Sequence, residues 1–467
     1  MIKQFLTLAV FMSLSAGMSA QQKDGGISQQ LVNTLRQKEM RVSNKALHNA
    51  VVANSIDALA KNSATAGKID TYFSNETKKQ SITDQKQSGR CWMFSGFNVL
   101  RSNFANRTDS LTVDLSQGYT FFWDQLEKSN LFLQGVIDNA EKPMNDRIVQ
   151  FFFQHPINDG GTFCGVSDLV DKYGLVPHEV MPETVSSNDT RRISALIASK
   201  LREFGLELRT MVAQKKSAKE IKAAKEEMLS TVYHMLSLAF GEPVTEFDYA
   251  FKNAEGKPVT EVKHYTPLTF AKEVVGEKLN DSFIMVMNDP RHEYYKTYEV
   301  EYDRHVYDGH NWKYLNLPME DIANLAIASI KGGKKMYSSY DVGKFLDGKR
   351  GYSDVNNFDY GSLFNTTFGM NKAERIMTYD SGSTHAMTLA AVDLDKNGKP
   401  IKWAVENSWS ASWGQNGRLI MTNEWFNEYM FRLVVNKKFV PAKLLKKFDQ
   451  KPVMVMPDDP LFLPDAD

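Results

Sequence analysis

Cys91 is one of only two cysteines in a chain of 467 residues, and it opens a helical stripe in which Met93, Phe97, Leu100 and Phe104 recur at three- and four-residue spacing. The polar run Asn106–Asp109 ends that stripe. A cysteine in the first turn of a helix meets unpaired backbone N–H groups and partial positive charge, which favour the thiolate, the nucleophilic form of the residue. A lone cysteine is otherwise a small buried hydrophobe, so position alone leaves both readings open. A thiolate doing covalent chemistry needs an imidazole that keeps it ionised and later protonates the leaving group. Of nine histidines, His385 begins the short apolar run His385–Val392. Asn407 ends the next segment, where Ile401, Trp403 and Val405 alternate after the turn signal Lys396-Asn397-Gly398-Lys399. Two strands joined this way bring both side chains to one rim of a sheet. There an asparagine amide oxygen can accept the imidazole N–H and fix the ring, which completes a Cys-His-Asn arrangement for acyl transfer.

The elements that must position these residues fall into two kinds. The helical pattern lies early and the strands lie after about residue 375, with Arg418–Met421 as a third strand, so an α+β enzyme of two lobes with chemistry in the cleft between them is expected. Between them the stretch 191–240 has no proline and carries two stripes: Ile193, Ile197, Leu201, Phe204 and Leu208, then Ile221, Ala224, Met228, Val232 and Leu236. Ser217 and Glu220 between the stripes fit a capping box, so this is an inserted helical hairpin. Its charged runs read as solvated faces. No repeat or low-complexity linker divides the chain.

Composition removes other classes. Lysine plus arginine and aspartate plus glutamate each total 56, which leaves no net field to hold a nucleic acid. The hydrophobic content of 42% is too high for disorder, and two cysteines cannot make a disulfide scaffold or a four-cysteine zinc site. Lys3, the apolar run Phe5–Leu14 and the small residues Ala16–Ala20 read as a secretory signal over 1–20. A run of ten residues is about half of what a bilayer-spanning helix requires, so stable membrane insertion is not expected and the chain reads as exported, periplasmic or secreted. His305 and His310 lack a third ligand and are read as surface histidines rather than a metal site, and Cys164 is read as structural. No cofactor is inferred.

Larger motifs then add a resemblance. Gln85 six residues before Cys91, Cys91-Trp92-Met93-Phe94, Thr384-His385-Ala386-Met387, Glu406-Asn407-Ser408-Trp409 and Trp413-Gly414-Gln415-Asn416-Gly417 resemble papain-like cysteine peptidases. Ser88-Gly89-Arg90-Cys91-Trp92, Asn158-Asp159-Gly160-Gly161, Lys172–Pro177, Asp341–Lys344 and Met421–Phe426 are similar, in order, to the bleomycin hydrolase and aminopeptidase C branch. The resemblance runs from about Ser28 to Pro452 and implies a papain-like body. It also implies Cys91 as nucleophile, His385 as acid and base, Asn407 as orienter, and Gln85 as an oxyanion-hole donor acting with the Cys91 N–H. Trp409 would shield the histidine–asparagine bond, and Asp159, Gly160 and Gly161 would form the cleft wall. Further implications are peptide substrates, aminopeptidase action governed by a C-terminal tail, and a homo-oligomer, a hexamer in that branch.

The expected layout is a signal at 1–20 and a body at 21–467. Within the body lie a helical lobe around 85–190, the insertion at about 191–300, a β-rich lobe at about 300–450 and a tail at 453–467. The tail ends Leu461-Phe462-Leu463-Pro464-Asp465-Ala466-Asp467, bulkier than the small residues expected of the branch, with Asp465 and Asp467 able to face a substrate amine. A papain-like endopeptidase, another cysteine-based acyl transfer such as amide deacylation or transglutamination, and a non-catalytic binding protein on the same fold are the alternatives.

Overall fold

The computed structural model describes residues 25–42, 44–109 and 111–462. The signal-like segment 1–20 and the acidic end at Asp465 and Asp467 lie outside the described residues. The chain forms two compact units that meet at Lys61 and Asn62. The first carries the helices Gln29–Val42, Lys45–Ala53 and Ile56–Ala60, the second of them capped by the Asn44 side chain.

The second unit carries the site. Its helix Cys91–Arg107 has Met93, Phe97, Leu100 and Phe104 all buried, as the stripe predicts. It packs with the helix Gln117–Asp138 and the helix Phe163–Tyr173 in one hydrophobic core. The insertion is the hairpin Arg191–Ala213 and Ala218–Phe240, and the capping box of Ser217 and Glu220 forms. The hairpin closes at Phe240, where its second stripe ends, and the rest of the 191–300 stretch is not a continuation of it. Phe283–Met287 and Thr297–Val300 already belong to the large sheet, because short apolar runs such as Phe283-Ile284-Met285-Val286-Met287 satisfy their backbone in a sheet buried on both faces.

Six neighbouring antiparallel strands make the centre of that sheet: Phe283–Met287, Met430–Asn436, Met336–Tyr340, His385–Leu394, Pro400–Glu406 and Arg418–Thr422. One face covers a second core that includes Trp403, Trp425, Phe426 and Leu433. The turn after Leu394 forms as its sequence demands, with Asp395 N–H bonded to the Lys399 carbonyl and Gly398 at φ 78°. The strand Val453–Val455 adds in parallel to Thr297–Val300, which carries the chain end toward the cleft. Among the described residues no helix is long and apolar enough to cross a membrane.

Candidate active site

The loop Gln85–Arg90 delivers Cys91 to a helix end without a side-chain cap. Arg90 occupies the N-cap position, yet its guanidinium turns inward to Glu183 at 2.9 Å and to the Ser187 carbonyl at 2.6 Å. The positive end of the helix is therefore left to the cysteine and whatever reacts with it. Cys91 is half-buried, and the Ala386 N–H points at its Sγ from 3.4 Å, which places the sulfur at the first residues of the His385 strand.

His385 Nε2 bonds Asn407 Oδ1 at 2.8 Å, leaving Nδ1 as the nitrogen for proton transfer at the sulfur. The Trp409 indole stacks on the ring at 4.6 Å between centroids, and Trp413 meets Trp409 edge-on. Asn407 is fully buried and His385 nearly so. Burial pushes the His385 pKa down to about 4, against the opposing pull of the Asn407 bond. A negative sulfur beside the ring works the other way, since an opposite charge nearby favours the imidazolium.

Ser408 ties this pair to the oxyanion loop. Its N–H donates to Asn407 Oδ1 at 2.8 Å, its hydroxyl donates to Gln85 Oε1 at 2.6 Å, and its carbonyl accepts the Gln85 N–H at 2.8 Å. Fixing Oε1 orients the Gln85 amide, whose Nε2 also donates to the Ser88 carbonyl at 2.6 Å. The orienter of the histidine and the candidate oxyanion donor are thus held by one residue that sequence reasoning gave no role.

The cleft wall is built differently. The Asp159 carboxylate accepts the Gly89 N–H at 2.6 Å and the Thr190 hydroxyl, while its carbonyl accepts the Trp92 indole N–H at 2.9 Å. Its charge serves the loop before Cys91. A Cβ on Gly89 would collide with that carboxylate, and one on Gly161 would collide with the His305 and Trp92 rings. Behind the wall, Lys128 donates to the Asn158 carbonyl at 3.0 Å and the Gly160 carbonyl at 2.6 Å and pairs with Asp124 at 3.0 Å. His305 is a correction to the surface reading: it is 3% exposed, with Nδ1 on Asp124 at 2.5 Å and Nε2 accepting the Thr162 N–H at 3.3 Å. Burial pushes the Asp124 carboxyl up, but Lys128 and His305 outweigh it and hold it below the usual range. Asp124 and Lys128, four apart on a largely apolar helix, were the one sequence signal of this network. His310 is exposed and bonds Asp168.

Cys164 is fully buried at 2.9 Å from the Thr162 hydroxyl, and burial pushes its thiol far up, which fits an inert structural residue. The cavity at Cys91, about 230 Å³, brings together all eight candidate residues except Asn407 and Trp409, which stand behind His385. Leu461 and Phe462 of the tail line it too.

This sheet and helix pair, with a cysteine, a histidine and an asparagine meeting at the cleft, define a papain-like cysteine peptidase. The sequence profile of the Peptidase C1-like family matches residues 26–462, and the chain belongs to that family. It is 37% identical over 418 residues to an aminopeptidase C of Lactobacillus delbrueckii subsp. lactis, covering 88% of this chain and 92% of the relative. It is also 37% identical over 408 residues to the bleomycin hydrolase of Homo sapiens, covering 85% and 90%. The crystal structure of PepW from Lactobacillus rhamnosis HN001 superposes with a TM-score of 0.89 at 36% identity, covering 94% of this chain and 99% of that one.

Proposed function

We propose that this enzyme removes residues from the free amino terminus of peptides through an acyl-enzyme at Cys91. The observation that carries the reading is the Cys91 sulfur at an uncapped helix end, 3.4 Å from the backbone N–H that follows His385, whose ring is clamped by Asn407 and covered by Trp409. The thiolate attacks the scissile carbonyl and a C–S bond forms. The oxyanion takes hydrogen bonds from the Gln85 amide and the Cys91 N–H, neutral donors already in place. His385 passes its proton to the leaving amine as the C–N bond breaks, then takes one from the water that hydrolyses the thioester.

End-specificity is supported by the docked tail. Asp458 pairs with Arg147 at 2.6 Å and Asp459 with Arg291 at 2.7 Å, and Leu461 is buried at the cavity. A chain end so anchored closes one side of the cleft, which suits short access to a peptide terminus. Cleavage of fluorogenic peptides with free and blocked amino termini, with and without reductant, tests chemistry and end-specificity together. Free-amine substrates should be faster, and truncation after Met456 should raise endopeptidase activity. Equal rates on both substrate types would favour an endopeptidase.

Assembly into an oligomer belongs to the same proposal. Leu196, Leu206 and Leu238, all on the helical hairpin, are 43%, 53% and 77% exposed, and light scattering should give several subunits per particle. Export rests on residues 1–20 and is tested by fractionating cells that express the full chain.

A further inference from the structure

Arg432 lies on the strand Met430–Asn436, paired through its backbone with Met287 on one side and Ser339 on the other. It is 8% exposed, and it lines the same cavity as Cys91, His385 and Phe462. Its Nε is buried without a hydrogen-bond partner, and among the described residues the guanidinium forms no ion pair. The rings that flank it are Trp312, 5.2 Å from Cζ to centroid, and Phe462 at 5.6 Å. Aromatic faces hold a guanidinium's position without using its N–H donors. A buried arginine whose Nε lacks a protein partner is a group that requires an explanation in a native protein.

The remaining groups around it identify the missing partner. Ser339, Ser383 and Tyr337 line the same cavity, and the two serine hydroxyls already satisfy each other at 2.7 Å. Asp303 is the acid on that wall, beyond ion-pair distance of Arg432. Burial raises the Asp303 carboxyl while Arg432 opposes the rise, so the two charges share the cavity without cancelling by contact. The planar fork of a guanidinium fits a carboxylate in bidentate fashion.

We infer that Arg432 is a specificity-determining residue which receives a carboxylate in the cleft, either an acidic side chain of the substrate or one supplied by the chain's own end beyond Phe462. This rests on the peptidase reading and names the substrate class that the site favours. The second source is physically at hand, because Asp465 and Asp467 follow Phe462 within five residues.

The test compares free-amine fluorogenic peptides that differ only by glutamate or glutamine at the first or second residue, in the full chain and in a chain truncated after Phe462. Each form is combined with Arg432→Gln and Arg432→Lys. Stoichiometric alkylation of Cys91 verifies that each variant has an assembled site, and turnover of the glutamine peptides reports the peptidase itself. If the substrate supplies the carboxylate, the full chain should favour glutamate at one position by roughly 10-fold in kcat/KM. Arg432→Gln should abolish the preference and Arg432→Lys should keep part of it. If the chain's end supplies it, the full chain should show no preference and the truncated chain should gain one that Arg432→Gln removes. Absence of any Arg432-dependent glutamate preference in both chains, with glutamine peptides still cleaved, overturns the inference and leaves the peptidase reading standing.

Discussion

Two buried histidines sit on opposite sides of the cleft, and each is held by one side-chain acceptor. His385 is held by Asn407, a neutral amide, at 2.8 Å. His305 is held by Asp124, a carboxylate that Lys128 also grips, at 2.5 Å. Asn407 engages only Nε2 and fixes the ring, so Nδ1 of His385 is left to accept and release a proton during the reaction. A buried carboxylate paired with both a histidine and a lysine forms a closed network, and its ties run to the backbone of Asn158, Gly160 and Thr162. The second ring nitrogen thus separates a moving part from a strut: His385 keeps Nδ1 for the sulfur, whereas both nitrogens of His305 are engaged, although both rings are almost equally buried.

The largest effect should come from the moving part. His385→Ala should lower kcat/KM by about 10⁴-fold, as loss of a member of a nucleophile–base unit does, while Cys91 remains alkylatable in the folded protein. Its counterpart His305→Ala should retain measurable turnover, with KM rising more than kcat falls, because only the cleft wall shifts. Near-equal losses in kcat for the two variants would erase the distinction.

The strut should reveal itself in stability. Asp124→Asn leaves Lys128 buried without its counter-charge and should cost about 3 kcal/mol in urea unfolding, the usual consequence of breaking a buried pair.

Acid titration separates the two sides further. The folded pKa of His385, about 4, lies below the unfolded value of roughly 6.5, so its contribution is fully present above that pH and is lost as pH falls toward 4. Asp124, held below the usual carboxylate range, contributes above its unfolded value of about 4 and loses that contribution only as pH falls further. In a Cys91→Ala background, where no sulfur charge competes, adding His385→Gln should flatten the stability decline between roughly pH 6.5 and 4 by about 3 kcal/mol. Adding Asp124→Asn instead should alter the decline below that window.

Smaller effects test the link between the sides and the bystander. Ser408→Ala leaves Gln85 Oε1 without its hydroxyl partner and should lower kcat/KM by about 10-fold with Cys91 labelling intact. Cys164→Ser should stay within about 2-fold of the parent in turnover, since its thiol is buried and held protonated. A larger loss would mean that Cys164 supports the wall more than its contacts with the Thr162 hydroxyl and the Asp303 carbonyl suggest.

The His385–Asn407 pair was legible before any coordinates because strands run with period two and a tight turn fixes register, so residues at neighbouring strand ends must share a rim. Cys91 was legible because helical spacing places it in the first turn. The hairpin of 191–240 and its capping box followed from the same local rules. Local patterns could not show that His305 lies 181 residues from Asp124 in sequence and beside it in space, nor that Ser408 reaches back to Gln85 across 323 residues. Those contacts arise when two cores pack, and no periodicity encodes which side chain of one lobe meets which of the other. The same holds for Arg432: the sequence places an arginine on a strand, but only the packed structure leaves its Nε without a partner in the cavity that Cys91 also lines. Composition and spacing determined the chemistry available to this protein, and tertiary packing decided which polar groups are satisfied internally and which remain open to a ligand, because desolvation acts on neighbours in space.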